Sequence, residues 1–155
     1  MLYLGADHRG FKLKESLKKF LAKKKIIFID LGNSHLNSSD DYTDIGYLTA
    51  KKVAENPDRH RAVLICGSGI GICIAANKVS GIRAGIAYSP KIAQKGKEDD
   101  NMNILCLAAD ATSSAQAMKI ISAWLKAKFK KKSRYVRRIN EIEEIERAKF
   151  KPNIS

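Results

Sequence analysis

The stretch "RAVLICGSGIGICIAANK" ends an apolar run on Cys66 and continues through Gly67, Ser68, Gly69, Ile70 and Gly71, three glycines within five positions. Glycines ahead of a helix leave backbone N–H groups bare, and a helix start adds about half a positive charge, so oxygens carrying negative charge can approach closely. Ser68 supplies a hydroxyl beside them. A free thiol titrates near about 8.5, and thiols at helix N-termini are drawn toward neutrality. A thiolate next to such a cradle suits removal of a proton from a carbon beside a carbonyl: sulfur takes the proton and the amides hold the enediolate oxygen. The competing reading makes Cys66 a small hydrophobe that closes a core strand. The residues alone leave both open. Cys73 and Cys106 fall inside a helix and a strand and read as core. The loop is not a dinucleotide fingerprint, whose third glycine would come one position later, and no Gly-Lys-Ser/Thr follows to make a phosphate-binding P-loop.

The chain has 155 residues and a net charge of +13, with 45% hydrophobic and 29% charged residues, the profile of a single globular domain. We expect that domain to span 1–150, with a short tail at 151–155. No apolar run approaches the roughly 20 residues that span a bilayer. The opening "MLYLGADHRG" is not that of a signal peptide, and three cysteines in apolar settings point to reduced thiols in a cytoplasm. Without secretion, the glycosylation patterns at Asn37 and Asn153 carry no meaning. About half of the excess charge is concentrated near the C-terminus, where 11 Lys/Arg face 4 Glu between Lys126 and Lys151. The other basic residues are scattered, many on the expected outer faces of helices such as "KLKESLKKFLAKKK". No zinc spacing, recognition helix or aromatic-rich basic sheet is present, which argues against nucleic acid as partner and for an anionic small molecule.

Short apolar runs alternate with helical periods along the chain. "MLYLGA", "IIFIDLG", "RAVLIC", "IRAGIAY" and "NILCLAA" read as strands buried on both faces. Between them lie helices carrying Phe11, Leu13, Leu17, Phe20 and Leu21, then "IGYLTAKKVAE", then "IGICIAANKVS" ended by Gly81, and one opened by Ser89 and Pro90. Thr112 or Ser113 caps a helix ending near Lys128, and a last helix puts Val136, Ile139, Ile142 and Ile145 on one face. This is a doubly wound, Rossmann-like α/β fold: a five-stranded parallel sheet with a C-terminal helix. In such sheets sites open at the carboxyl ends of the strands, where strand order reverses. That rule gathers Asp7 and His8, Cys66 to Gly71, and Ser89.

Taken in order and spacing, "GADHRGFKLK", "DYTDIG", "VLICGSGIGICIAANKVSGIRA" and "AWL" resemble the type B ribose-5-phosphate isomerases, a family that includes the subunits of galactose-6-phosphate isomerase. The resemblance covers nearly the whole chain. It implies aldose–ketose isomerisation of a sugar phosphate through a cis-enediolate, with no metal and no organic cofactor, as in the pentose phosphate pathway. It also implies a homodimer with sites at the subunit interface, and leaves open whether dimers pair into tetramers. On it, Cys66 is the base, Gly67, Ser68, Gly69, Ile70 and Gly71 hold the reacting end of the sugar, and Asp7 and His8 grip its ring-oxygen, hydroxyl or phosphate region. Arg134 and Arg138 clamp the phosphate, which suits guanidinium forks four residues apart on one helix face. Relatives without the cysteine use a glutamate where this chain has Ile72.

The chain departs from the family in two places. Where the family carries His-Asn-Asp, the segment "KEDDNMN" puts Asp99 at the position of the ring-opening histidine, Asp100 at that of a sugar-binding asparagine, and Asn101 at that of the aspartate. A carboxyl group of ordinary pKa, about 3.9, is ionised at pH 7 and donates protons poorly unless burial or a neighbouring carboxylate raises it. After the fifth strand Asp110 stands where the family often has a phosphate-binding arginine. Thr43 also replaces a proline, which affects loop stiffness. Three readings follow: ribose 5-phosphate isomerisation with Asp99 or another group opening the ring; isomerisation of a different sugar phosphate, linear or hexose; or sugar-phosphate binding without catalysis. Retention of Cys66 at an intact loop favours catalysis.

Overall fold

The computed structural model describes residues 1–149, so the tail at 151–155 and the pattern at Asn153 lie outside the described residues. Five parallel strands, β1 (Leu2–Ala6), β2 (Phe28–Asp30), β3 (Arg61–Cys66), β4 (Ala84–Ile86) and β5 (Ile104–Ala108), form one sheet in the order β2-β1-β3-β5-β4. The helices are α1 (Phe11–Lys23), α2 (Tyr42–Ala54), α3 (Ile70–Ala76), α4 (Pro90–Asp100), α5 (Ser114–Lys126) and α6 (Ser133–Glu146). Side chains alternate across each strand. Val63, Ile65, Leu105 and Leu107 pack with Leu17, Ile120 and Trp124 of α1 and α5. Leu64, Cys66, Ile104 and Cys106 pack on the opposite face with Val53, Ile72 and Ala76 of α2 and α3.

Only β1, β3 and β5 are buried on both faces. β2 and β4 are edges of three residues each, shorter than "IIFIDLG" and "IRAGIAY" suggest, and Ile27 is 80% exposed. An edge strand has one neighbour to hydrogen-bond, so its apolar run need not stay in the ladder. The third helix is also shorter than its pattern, stopping at Ala76, and α5 stops at Lys126. Ser89 caps α4 by accepting a hydrogen bond from the Ile92 N–H at 3.2 Å, and Ser113, not Thr112, caps α5 through the Gln116 N–H. Ser89 thus has a structural role. On α6, Tyr135 and Ile139 are buried, whereas Val136, Ile142 and Ile145 are 37%, 40% and 57% exposed. That stripe has no complete partner among the described residues. Among the described residues no helix is long and apolar enough to cross a membrane.

Lys14 overturns the expectation that the lysines of α1 face solvent. It is fully buried, with Nζ 2.5 Å from Asp30 Oδ2 and 2.9 Å from the Asn33 carbonyl. Burial pushes the Asp30 carboxyl up, but Lys14, Lys18 and the Gly32 N–H outweigh it and hold the group below its ordinary value. A buried lysine is tolerated when paired in this way.

Candidate active site

The strand order reverses between β1 and β3, so the crevice at their carboxyl ends receives the two loops that the sequence singled out. After β3 the chain turns through Gly69, whose φ of +75° is the left-handed conformation that glycine adopts without penalty. A Cβ there would lie 3.0 Å from the Leu107 carbonyl carbon. The turn carries the Gly69 N–H back to Cys66 Sγ at 3.2 Å, and Ser68 Oγ accepts from the Ile70 N–H at 3.2 Å. The N–H groups of Gly71 and Ile72, at the start of α3, have no intrahelical acceptor. Because α3 has only seven residues, these amides matter more than the helix dipole invoked from its longer sequence pattern. Cys66 is 3% exposed in the single chain, its sulfur lying under the loop and not at an open surface.

After β1, Asp7 is buried and its Oδ1 accepts the Gly10 N–H at 2.9 Å. Burial pushes its carboxyl above the ordinary value, with the Gly10 bond pulling against it. His8 is held twice by Asp40: the carboxylate Oδ1 lies 2.8 Å from the His8 backbone nitrogen and 2.9 Å from Nδ1. Asn33 Nδ2 donates to the other oxygen of Asp40 at 2.8 Å, and Lys14 holds the Asn33 carbonyl, so a chain of polar contacts runs from the core to the imidazole. Sequence reading missed Asp40, which sits in a polar loop without periodicity, one residue before "DYTDIG".

The bond to Asp40 raises the His8 pKa above 6.5, against a smaller opposing effect of burial. A raised folded-state value means that the clasp stabilises fully below 6.5 and is lost as pH climbs through the raised value. Asp40→Asn is therefore expected to lower the His8 pKa in an NMR titration of its ring protons. The stability gap between the two proteins should narrow as pH rises. An unchanged His8 titration would show that Asp40 does not set its charge.

Arg9 is the second residue that sequence reading missed. Its guanidinium pairs with Asp110 and lies against the loop: a Cβ on Gly67 would be 2.4 Å from Arg9 Cζ. A side chain at 67 would therefore push this guanidinium off the loop. Asp110, where the resemblance expects an arginine, thus faces an arginine that comes from the β1 loop. The partners are 101 residues apart, so no local pattern could reveal them.

Asp99, Asp100, Arg134 and Arg138 form a separate cluster. Asp99 and Asp100 end α4, and the chain returns through Asn103, whose side chain bonds the Arg83 N–H and the Gly81 carbonyl, to enter β5 at Ile104. Cys66 pairs with Ala108 at the other end of β5. Four strand steps, about 13 Å at 3.3 Å per residue, separate those ends. Within one chain, therefore, the cysteine loop and the acidic turn do not meet. Asp99 Oδ2 is 3.7 Å from Lys95 Nζ, and its Oδ1 is buried without a hydrogen-bond partner among the described residues. Burial first and the Asp99 charge second raise the Asp100 carboxyl, with Arg138 opposing. The like-charge effect expected of this pair falls on Asp100. Arg134 stacks on the Tyr135 ring at 4.8 Å and donates to its hydroxyl at 3.0 Å. Among the described residues, no group of three His, Cys, Asp or Glu side chains is placed to hold a metal ion.

Residues 2–142 match the family described as Ribose/Galactose Isomerase. A probable ribose-5-phosphate isomerase B from Mycoplasma genitalium is 38% identical over 141 residues, covering 91% of this chain and 92% of its own length. A D-erythrulose-4-phosphate isomerase from Pectobacterium atrosepticum is 33% identical over 126 residues, covering 81% of this chain and 82% of the relative. The crystal structure of the Mycoplasma genitalium ribose-5-phosphate isomerase B with bound ribulose 5-phosphate superimposes with a TM-score of 0.90 at 38% identity, covering 94% of this chain and 95% of that one. The cysteine loop at the strand-order reversal, the sheet that carries it and these matches over nearly the full length lead to one assignment: the chain belongs to the ribose/galactose isomerase family.

Proposed function

We propose that the protein interconverts ribose 5-phosphate and ribulose 5-phosphate, with Cys66 as the base. As a family member the chain is a sugar-phosphate aldose–ketose isomerase. The observation that carries the mechanism is the Gly69 N–H directed at Cys66 Sγ at 3.2 Å beside the uncommitted amides of Gly71 and Ile72. Cys66 takes the proton from C2, the loop from Gly67 to Gly71 holds the enediolate oxygen, and the thiol returns the proton to C1. The His8 imidazole, held by Asp40, and Asp7 face the substrate from β1.

The rest of the site comes from a second copy of the chain. Asp99, Asp100, Arg134 and Arg138 serve the partner's cysteine loop, because their own loop is at the far end of β5. The surface for that partner is the apolar band of Ile70 and Ile74 on α3, Tyr88, Ile92 on α4 and Ile142 on α6, which are 40–56% exposed in the single chain. Fully burying an exposed side chain of this kind gains about 1.5–3 kcal/mol, and roughly half of that remains for residues already half covered. Asp99 stands at the position of the ring-opening acid, and Asp100 beside it, its carboxyl raised by burial and by the Asp99 charge, faces the same sugar. The absence of a membrane-crossing helix among the described residues and the free cysteines support a cytoplasmic enzyme.

A second reading rests on the same turn. With two carboxylates where a histidine and an asparagine stand in the family, a substrate with no ring to open, such as a tetrose phosphate, dispenses with the acid. Turnover of ribose 5-phosphate, allose 6-phosphate, galactose 6-phosphate and D-erythrulose 4-phosphate, compared by kcat/KM, decides between them. Ribose 5-phosphate is expected to lead; a tenfold or larger advantage for the tetrose would replace it, and no turnover of any would leave a binding protein.

Arg9 supplies the cation that the family places after β5. Loss of a charge-assisted hydrogen bond removes about 1.5–3 kcal/mol, and the lower end applies to a half-exposed side chain. Arg9→Ala is therefore expected to raise KM about tenfold with little change in melting temperature. A KM within twofold of the wild type would remove Arg9 from the site.

A further inference from the structure

A cavity of about 720 Å³ opens at the edge of the sheet opposite the cysteine loop. It is lined by Arg61, the first residue of β3, five strand steps or about 16 Å from the chain's own Cys66, and through Asn101 and Val136 it adjoins the acidic turn and the α6 arginines that the proposed dimer gives to the partner's sugar site. Lys97 enters it from the end of α4, and Lys128 and Lys131 from the segment between α5 and α6. Asp58 is the single carboxylate in its lining. Phe129, Val136 and Ile139 form an apolar wall beside these charges.

Two of the cations are placed by the fold. Lys97 is 5% exposed, and its Nζ donates to Asn101 Oδ1 at 2.6 Å. The Arg61 guanidinium sits 5.9 Å from the Trp124 ring centre and donates from Nη1 to the Leu125 carbonyl at 3.3 Å. Each keeps donors in reserve: a lysine ammonium has three and a guanidinium five. Among the described residues no carboxylate lies within ion-pair distance of Arg61, Lys97, Lys128 or Lys131. Burial lowers the Lys97 pKa to about 8, with Arg61 and Arg83 adding to the effect. Covering Lys97 and Arg61 with no carboxylate paired to either is costly, and an anion in the cavity relieves that cost. The volume lies within the range of small-molecule sites, about 300–1,000 Å³.

We propose that this cavity is a second anion site, distinct from the sugar site, that takes a nucleoside polyphosphate: phosphates against Arg61, Lys97, Lys128 and Lys131, and the base against Phe129, Val136 and Ile139. Four cations against one carboxylate match more than one phosphate, and the aromatic and aliphatic wall matches a ring that a simple phosphate lacks.

Calorimetric titration of the full chain with ATP, AMP and inorganic phosphate tests this, with emission from Trp124, the only tryptophan, as a local readout. ATP is expected to bind once per chain, at least tenfold tighter than AMP and phosphate, and to bind undiminished in saturating ribose 5-phosphate. Lys128→Gln with Lys131→Gln, at exposed positions that do not threaten folding, should weaken ATP at least tenfold. Arg61→Gln should do so and also shift Trp124 emission. Displacement by ribose 5-phosphate overturns the proposal by placing ATP in the sugar site. Phosphate binding as tightly as ATP overturns the nucleoside component. Absence of saturation by about 1 mM, a binding free energy weaker than about 4 kcal/mol, overturns the site. A single-stranded oligonucleotide that binds tighter than ATP, with steep salt dependence, overturns the small-molecule class.

Discussion

In the Cys66→Ala variant, kcat on ribose 5-phosphate is expected to fall about 10²–10⁴-fold, the usual contribution of a positioned base, with KM little changed. In the proposed mechanism the sulfur acts at the reacting carbon and not at the phosphate, so the loss belongs to the chemical step. Exchange of the C2 hydrogen with deuterated solvent should disappear in parallel, because that exchange requires the same proton abstraction. Cys66 is nearly covered and packs with Leu64 and Ile72, so alanine leaves a void, and a destabilisation of about 1 kcal/mol accompanies it. For a domain of this length that is a melting shift of about 2–4 °C. Cys66→Ser separates the two effects. Serine nearly keeps the volume and still gives the Gly69 N–H an acceptor, but its hydroxyl is a far weaker acid. It should melt near the wild type and be equally inactive. Turnover within tenfold of the wild type in either variant would remove Cys66 as the base and return it to the core.

The half of the site that could be read from the sequence is local in the chain. β3 occupies the apolar run from Arg61 to Cys66, and the glycines after it make the turn their spacing suggested. Capping by Ser89 and Ser113 was equally legible, since a cap is decided within four residues. What escaped is set by distant partners. Arg9 and Asp110 read as two unrelated surface charges until the sheet brings the β1 and β5 loops together. Lys14 reads as a solvated lysine because nothing in α1 reveals that Asp30 and the Asn33 carbonyl wait beneath it. Asp40 has the least signal, since its importance depends wholly on His8, 32 residues earlier. The strand-end rule is silent on Asp99 and Asp100 for a different reason. Strand-end rules gather loops that follow strands, whereas this turn precedes one, so it belongs to the opposite edge.

That opposition yields the second large effect, restoration of activity by mixing two dead proteins. Take Cys66→Ala as one partner and the double variant Arg134→Ala, Arg138→Ala as the other. On the proposed dimer, each variant's homodimer would lack one half of both of its sites and should be nearly inactive. In a heterodimer, the cysteine loop of the arginine variant meets the arginines of the cysteine variant, and one of the two sites is whole. Random exchange of equal amounts makes half of the dimers mixed, so about a quarter of the wild-type specific activity should return under the two-fold symmetry of such a dimer. Arg134 and Arg138 are exposed on α6, so their removal should leave the fold intact. Were all catalytic groups drawn from a single chain, every protomer in the mixture would still carry a lesion and no activity would return. The measurement thus separates a shared site from a self-contained one without reference to which sugar is turned over, and exchange by brief dilution or mild denaturant followed by assay is sufficient. A mixture that stays as inactive as its parents, with mixed dimers verified by mass, would place the acidic turn and its arginines outside the partner's cysteine loop.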